Sequence, residues 1–172
     1  TLIAANLYPL YPTQLSLLGA FTIGTPAFVL ALQPNKELIR GDFLVNVILK
    51  ALPAGLADFI MLAAISIHGN ILGMSNEQIS TVAIVILLFI GLAALVRICR
   101  PFDGIRILLC LAMAAGIVIC VLNFKGIFAI ATVNMIMLRM IIMYALIAGV
   151  LFCIMCKSVG GWIDYMERHS KR

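Results

Sequence analysis

The chain has 172 residues, of which 64% are hydrophobic and 11% charged, whereas soluble domains average roughly 45–50% and 25%. Twelve basic and seven acidic residues, with a formal net charge of +5, are too few to cover the surface of a soluble domain of this size. The composition therefore argues against a water-soluble fold. Because the basic residues are separated by long apolar segments and form no continuous basic face, it also argues against a nucleic-acid partner.

Five apolar runs are long enough to cross a lipid bilayer, whose ~30 Å hydrocarbon core needs about 20 helical residues. We predict spans at about residues 13–32, 43–67, 80–96, 105–122 and 134–155. His68-Gly69-Asn70 is expected to end the second span. No run shows sustained period-two alternation, so a β-barrel is not indicated. The sequence predicts an all-α fold, a polytopic membrane helix bundle of about five transmembrane helices that forms a single domain over residues 1–172.

The distribution of Lys and Arg predicts the orientation, because short cytoplasmic loops retain positive charge. Only Lys125 lies in a loop on the opposite side. We therefore expect an integral membrane protein with its N-terminus outside, its C-terminus cytoplasmic, and residues 158–172 as a cytoplasmic interfacial tail. Ten basic residues lie on the side predicted to be cytoplasmic: Lys36, Arg40, Lys50, Arg97, Arg100, Arg106, Lys157, Arg168, Lys171 and Arg172.

The first predicted span contains Thr22-Ile23-Gly24-Thr25-Pro26 in its middle. Pro26 has no N–H to donate to the carbonyl of Thr22, and its ring displaces that carbonyl. Opened backbone at this depth is tolerated where it contacts protein or a hydrated cavity, and such carbonyls coordinate cations in transporters. Thr22, Gly24, Thr25 and Pro26 are therefore candidates for an ion pathway, with a proline kink satisfied by threonine hydroxyls as the structural alternative.

Asp58 is the second candidate for the ion pathway. It lies eight residues after Lys50, or roughly 12 Å along a helix with a rise of 1.5 Å per residue. A carboxylate near the bilayer centre is costly and is a functional hypothesis by default. It would be protonated, paired or directed at a cation path. Arg139 is a possible partner, unless its side chain extends towards the outer surface.

Catalytic and nucleotide-binding signatures are missing from the sequence. It contains no GxxxxGK[ST], GxGxxG, HExxH or GxSxG pattern, so no catalytic residue and no cofactor are predicted for this chain alone. Cys153 and Cys156 form a CxxC on a helical pattern without further Cys or His ligands nearby. We interpret them as ordinary membrane-helix residues.

The first span and the segment after it resemble the sixth membrane helix and following loop of P-type cation-transporting ATPases, most closely a bacterial branch. The resemblance is carried by Tyr11-Pro12-Thr13-Gln14-Leu15, Thr22-Ile23-Gly24-Thr25-Pro26-Ala27-Phe28 and Ala31-Leu32-Gln33-Pro34-Asn35-Lys36-Glu37. Lys50-Ala51-Leu52-Pro53-Ala54-Gly55 and Arg100-Pro101 are similar to the starts of the seventh and ninth helices. The five spans would then be helices six to ten, the C-terminal transmembrane part of such a pump.

The sequence departs from the calcium-pump pattern Asn-x-x-Thr-Asp-Gly-x-Pro in the sixth helix. Aligned on Thr22, Gly24 and Pro26, the Asn and Asp positions are occupied by Gly19 and Ile23. Two side-chain ligands of that pattern are therefore missing. Only Thr22 and the backbone opened by Gly24 and Pro26 carry over as ion contacts.

The resemblance implies that the chain is a fragment of a longer pump and does not hydrolyse ATP alone. The parent would bind ATP and Mg²⁺ and transport a cation, with Ca²⁺ or Mg²⁺ favoured. The missing N-terminal helices, the cytoplasmic ATPase domains and the lipid bilayer would be its partners. Lys36, Glu37 and Arg40 would contact the phosphorylation domain. The alternatives are a self-contained small membrane protein, such as a channel or a transporter or assembly subunit, and a scaffold without transport function.

Overall fold

The computed structural model describes residues 9–32, 43–99, 104–123, 131–132 and 134–170. The first span comprises α1 (Pro12–Leu18), a π-helical turn (Gly19–Gly24) and α2 (Thr25–Ala31). Four longer helices follow: α3 (Phe43–Ile71), α4 (Asn76–Ile98), α5 (Gly104–Asn123) and α6 (Met135–Ser170). Five helical segments are long and apolar enough to span a membrane. The prediction of an all-α membrane bundle with five spans is confirmed, and the described residues contain no strand.

Helix α4 is the centre of the bundle. It packs against the first span, α3, α5 and α6, whereas α3 packs against α4 and α6, and the first span packs against α4 and α5. Of the most apolar stretch in α4, 61% of the residues are buried, against 11% in α5. Apolar residues around most of the circumference of α4 contact neighbouring helices, as expected of an inner helix.

The connection between α3 and α4 is tighter than predicted. The expected break at His68-Gly69-Asn70 is wrong, because α3 continues to Ile71. The chain then turns at Gly73, whose φ of 67° favours glycine. Gly69 lies against Ile79, where an added Cβ would be 2.6 Å from Ile79 Cγ1. A small residue at position 69 therefore lets the two helices approach closely.

Helix α4 begins at Asn76, four residues before the predicted span, because Ser75 caps it. The Ser75 hydroxyl accepts a hydrogen bond from the backbone N–H of Gln78 at 3.4 Å, and the Gln78 side chain accepts one from the N–H of Ser75 at 3.1 Å. This reciprocal arrangement is a capping box. The polar residues before Ser80 therefore begin the helix rather than a loop.

Helix α6 has 36 residues and a length of roughly 54 Å at 1.5 Å per residue. A hydrocarbon core of ~30 Å cannot contain it. Residues 158–170 continue this helix, and their predicted position at the cytoplasmic interface stays a prediction.

Candidate ion pathway

The first span changes its helical geometry directly before Pro26. Residues Gly19–Gly24 form the π-helical turn, and the N–H of Thr25 donates to the carbonyl of Ala20, five residues earlier. The turn thus begins three residues before the predicted break at Thr22. A π turn contains one more residue than an α turn, and such insertions occur frequently at functional sites.

The extra residue changes which side chains face the bundle. Gln14 and Leu17 are buried, and Phe21 is partly buried against the core. Continued α-helical spacing would place Thr25 next on that face. Instead, Pro26 is buried, whereas Gly24 and Thr25 are exposed. The π turn therefore places the Gly24-Thr25 backbone on the face of the first span that is open in this chain.

Thr22 faces the opposite way, towards α4. Its Oγ1 donates a hydrogen bond to the carbonyl of Leu18 at 2.7 Å. Its methyl group lies against Gly91, where an added Cβ would be 2.4 Å from Thr22 Cγ2. The hydroxyl satisfies a helix carbonyl, and its oxygen retains lone-pair capacity for another contact.

Asp58 lies in α3 among buried apolar residues. Ala57 and Met61, on the same part of the helix, are 0% and 2% exposed. The Oδ1 atom of Asp58 is buried and has no hydrogen-bond partner among the described residues. Arg139 is exposed and lies four residues after the start of α6. The possible Asp58–Arg139 pair is therefore not formed. Arg139 lies near the start of α6 with an exposed side chain, which agrees with the alternative that this side chain extends towards the surface.

The structure does not join the two parts of the predicted pathway. Thr22, Gly24, Thr25 and Pro26 lie together in the first span, which packs on α4 and α5. Asp58 lies in α3, which packs on α4 and α6. No cluster of three or more His, Cys, Asp or Glu side chains that could hold a metal ion occurs within the residues described. A cation site here would depend on hydroxyl and carbonyl oxygens of the first span.

Polar contacts that the sequence did not predict attach the first span and the segment before α6 to α4. Gln14, fully buried, donates from Nε2 to Ser80 Oγ at 3.1 Å and accepts from the N–H of Tyr11. The backbone N–H of Ala131 donates to Thr81 Oγ1 at 2.9 Å. The only sequence signal was the presence of polar residues within apolar runs. Lys36, Glu37 and Arg40, the predicted interdomain contacts, lie outside the described residues.

Comparison with known proteins gives matches to bacterial proteins named as calcium- or cation-transporting ATPases. The calcium-transporting ATPase CtpE of Mycobacterium bovis is 35% identical over 117 residues, which cover 66% of this chain and 15% of the relative. CtpE of Mycolicibacterium smegmatis is 35% identical over 107 residues, or 60% of this chain and 14% of the relative. The Streptococcus pneumoniae protein named "Probable cation-transporting ATPase exp7" is 31% identical over 110 residues, which cover 64% of this chain and 14% of the relative.

The chain is homologous to bacterial P-type cation-transporting ATPases. It spans about 15% of the length of the curated relatives that it matches. Together with its five apolar helices, this supports a membrane-domain fragment of such an ATPase, and the self-contained membrane protein is not better supported. No family model and no solved structure matches the chain.

Proposed function

We propose that this chain is part of the membrane region of an ATP-driven cation pump, and that the π turn of the first span contributes to the ion pathway. The observation that carries the proposal is the π-helical turn at Gly19–Gly24. Its extra residue rotates the following side chains around the helix axis, so that Gly24 and Thr25 are exposed and Pro26 is buried. In lipid, a weakened run of backbone hydrogen bonds needs other polar partners. A dehydrated cation is one such partner.

The groups at this turn suit a hard cation. Backbone carbonyls and the Thr25 hydroxyl offer neutral oxygen ligands, which Ca²⁺ accepts at 2.3–2.6 Å in flexible geometry. Thr22 has a different role in this account. Its hydroxyl bonds to Leu18 and its methyl group packs on Gly91, so it holds the turn against α4 and offers its oxygen from the inner side.

Asp58 is proposed as a separate polar position of the pathway. Its Oδ1 is buried without a hydrogen-bond partner in the described part of the chain. A carboxylate in such surroundings attracts a cation strongly because little water screens it. Because the described residues show no extensive packing of α3 on the first span, Asp58 would act before or after the π turn along the path rather than as a ligand of the same ion.

Ca²⁺ is the proposed cargo, with Mg²⁺ as the second candidate. Two of the relatives are named calcium-transporting ATPases, and the oxygen donors of the first span fit either hard cation. ATP and Mg²⁺ would be bound by the cytoplasmic domains of the complete gene product. Lys36, Glu37 and Arg40 would contact those domains, which requires the N-terminus of this chain outside and its C-terminus in the cytoplasm.

The test is Ca²⁺-stimulated ATP hydrolysis by the complete gene product in detergent–lipid micelles. Thr25→Ala and Asp58→Asn should each raise the half-saturating Ca²⁺ concentration about tenfold, the effect of losing ~1.4 kcal/mol of binding. Thr13→Ala removes an exposed hydroxyl from the end of the same span, and Glu77→Gln removes an exposed carboxylate. These two controls should leave the Ca²⁺ dependence unchanged. An unchanged dependence in both test variants would remove them from the pathway.

A further inference from the structure

A groove with an apolar floor and two cations at one end runs along α4. Its first part lies between α4 and α6 and has a volume of about 540 Å³. A second part, about 310 Å³, lies between α4 and α5. Phe89 and Leu92 line both parts, so the two parts adjoin at these side chains.

The groove has the length of one bilayer leaflet. The lining of the groove extends along α4 from Val85 to Arg97, twelve residues or roughly 18 Å, slightly more than half of a ~30 Å hydrocarbon core. Except for Arg97 and Lys157, the described residues that line the groove are apolar or cysteine, among them Val85, Leu88, Phe89, Leu92 and Phe152. A hydrocarbon chain matches this surface.

The two cations are placed where a headgroup would lie. Arg97 Nη1 donates to Cys156 Sγ at 2.7 Å, and Nη2 donates to the Cys156 carbonyl at 3.5 Å. These bonds hold the guanidinium beside Lys157, the next residue of α6, which is exposed. A guanidinium has five N–H donors, so Arg97 retains donors for a phosphate. Among the side chains that the structure describes, no carboxylate lines either part of the groove.

The geometry points to an anionic phospholipid bound in this groove, with its phosphate on Arg97 and Lys157 and an acyl chain along Phe89 and Leu92. A protein helix fits less well. An apolar helix face would match the lining but not the two cations, whereas a phospholipid supplies both an acyl chain and a phosphate. The site needs only membrane embedding and does not depend on the proposed transport function. In the predicted orientation, it faces the cytoplasmic leaflet.

Native mass spectrometry of the complete gene product with phosphatidylglycerol and phosphatidylcholine tests the headgroup. The wild type should retain phosphatidylglycerol preferentially. Lys157→Gln should reduce that preference about fivefold, the usual effect of one basic side chain near an anionic membrane, and Arg97→Gln with Lys157→Gln should abolish it. Arg139→Gln, which removes an exposed charge near the other end of α6, should not change it. Equal retention of both lipids, or an unchanged preference in the double variant, would overturn the proposal.

Photocrosslinking tests what occupies the groove. Benzoylphenylalanine in place of Phe89 should crosslink to phospholipid in vesicles that contain phosphatidylglycerol. Crosslinks to another segment of the protein or to a second subunit would contradict the lipid assignment. Ala93→Phe, which fills the groove, should lower lipid retention, whereas Ala115→Phe on the exposed face of α5 should not. Equal lipid retention in these two variants would also count against the assignment.

Discussion

Thr22 and Gly91 are in such close contact that a Cβ on Gly91 would lie 2.4 Å from Thr22 Cγ2 and 2.9 Å from Thr22 Cβ. The contact joins the π turn of the first span to the central helix α4. The π turn proposed for the ion pathway would therefore be positioned by a residue without a side chain. Glycines also allow close contacts at Gly69 with Ile79 and at Gly116 with Phe21, whereas Gly55 in α3 has no atom within 4 Å of an added Cβ.

Gly91→Ala should destabilise the protein and impair the π turn. The added methyl group cannot fit without moving the first span, and such overpacking typically costs 1–3 kcal/mol, or about 2 kcal/mol here. Thermal unfolding of the complete gene product measures this. Gly55→Ala is the control and should be neutral or slightly stabilising, because alanine favours a helix over glycine.

The same contact gives a second-site test. Thr22→Ala removes Cγ2 and should restore much of the stability lost in Gly91→Ala. Additive losses in the double variant would show that the two residues do not interact, contrary to the packing described here.

Pro26→Ala should stabilise the first span and weaken Ca²⁺ stimulation. The alanine N–H can rebuild a helix hydrogen bond that proline lacks, which favours continuous α-helix over the π turn. We expect a higher unfolding temperature together with a higher half-saturating Ca²⁺ concentration. Pro12→Ala is the matched control, because Pro12 begins the span after the extended Tyr11, whereas Pro26 follows the π turn and interrupts a continuing helix. Unchanged Ca²⁺ dependence in Pro26→Ala would contradict a functional role for the turn.

Asp58→Asn should raise stability while it lowers transport activity. The carboxylate has a buried oxygen without a partner in the described residues, and an acidic residue in mid-membrane costs roughly 2.5–3.5 kcal/mol on insertion scales. The neutral amide should recover part of this, about 1 kcal/mol. Denaturant unfolding and ATPase assays on one preparation give both values. A loss of stability would indicate a structural hydrogen bond instead of a site reserved for an ion.

Gln14→Leu should destabilise the attachment of the first span to α4 by about 1–2 kcal/mol, since it removes a buried hydrogen bond. Ser80→Ala should cost less, because Gln14 keeps its bond from the N–H of Tyr11. Ser16→Ala, an exposed position in the same helix, serves as the control. Equal effects at positions 14 and 16 would show that the Gln14–Ser80 bond contributes little.

The sequence predicted the five spans well because apolar length depends only on local composition. It also located the irregular part of the first span, since Pro26 acts on its own helix. The start of the irregularity at Gly19 was not predicted. The choice between an α kink and a π turn depends on which face packs against α4, and that information is not local.

Contacts between spans could not be predicted for the same reason. Thr22–Gly91, Gln14–Ser80 and the bond from Ala131 N–H to Thr81 depend on the arrangement of helices around α4. The suggested Asp58–Arg139 pair failed because Arg139 is exposed near one end of α6. Charge and depth alone did not determine which helices are neighbours.

ATP-driven Ca²⁺ movement in proteoliposomes tests the central claim most directly. The complete gene product, reconstituted without other proteins, should accumulate ⁴⁵Ca²⁺ when ATP and Mg²⁺ are supplied, and Thr25→Ala should require more Ca²⁺ for half-maximal uptake. Transport of Mg²⁺ instead of Ca²⁺ would change the proposed cargo, whereas the assignment as an ATP-driven pump would stand. Cation flux that is equal with and without ATP would contradict the account and indicate a channel.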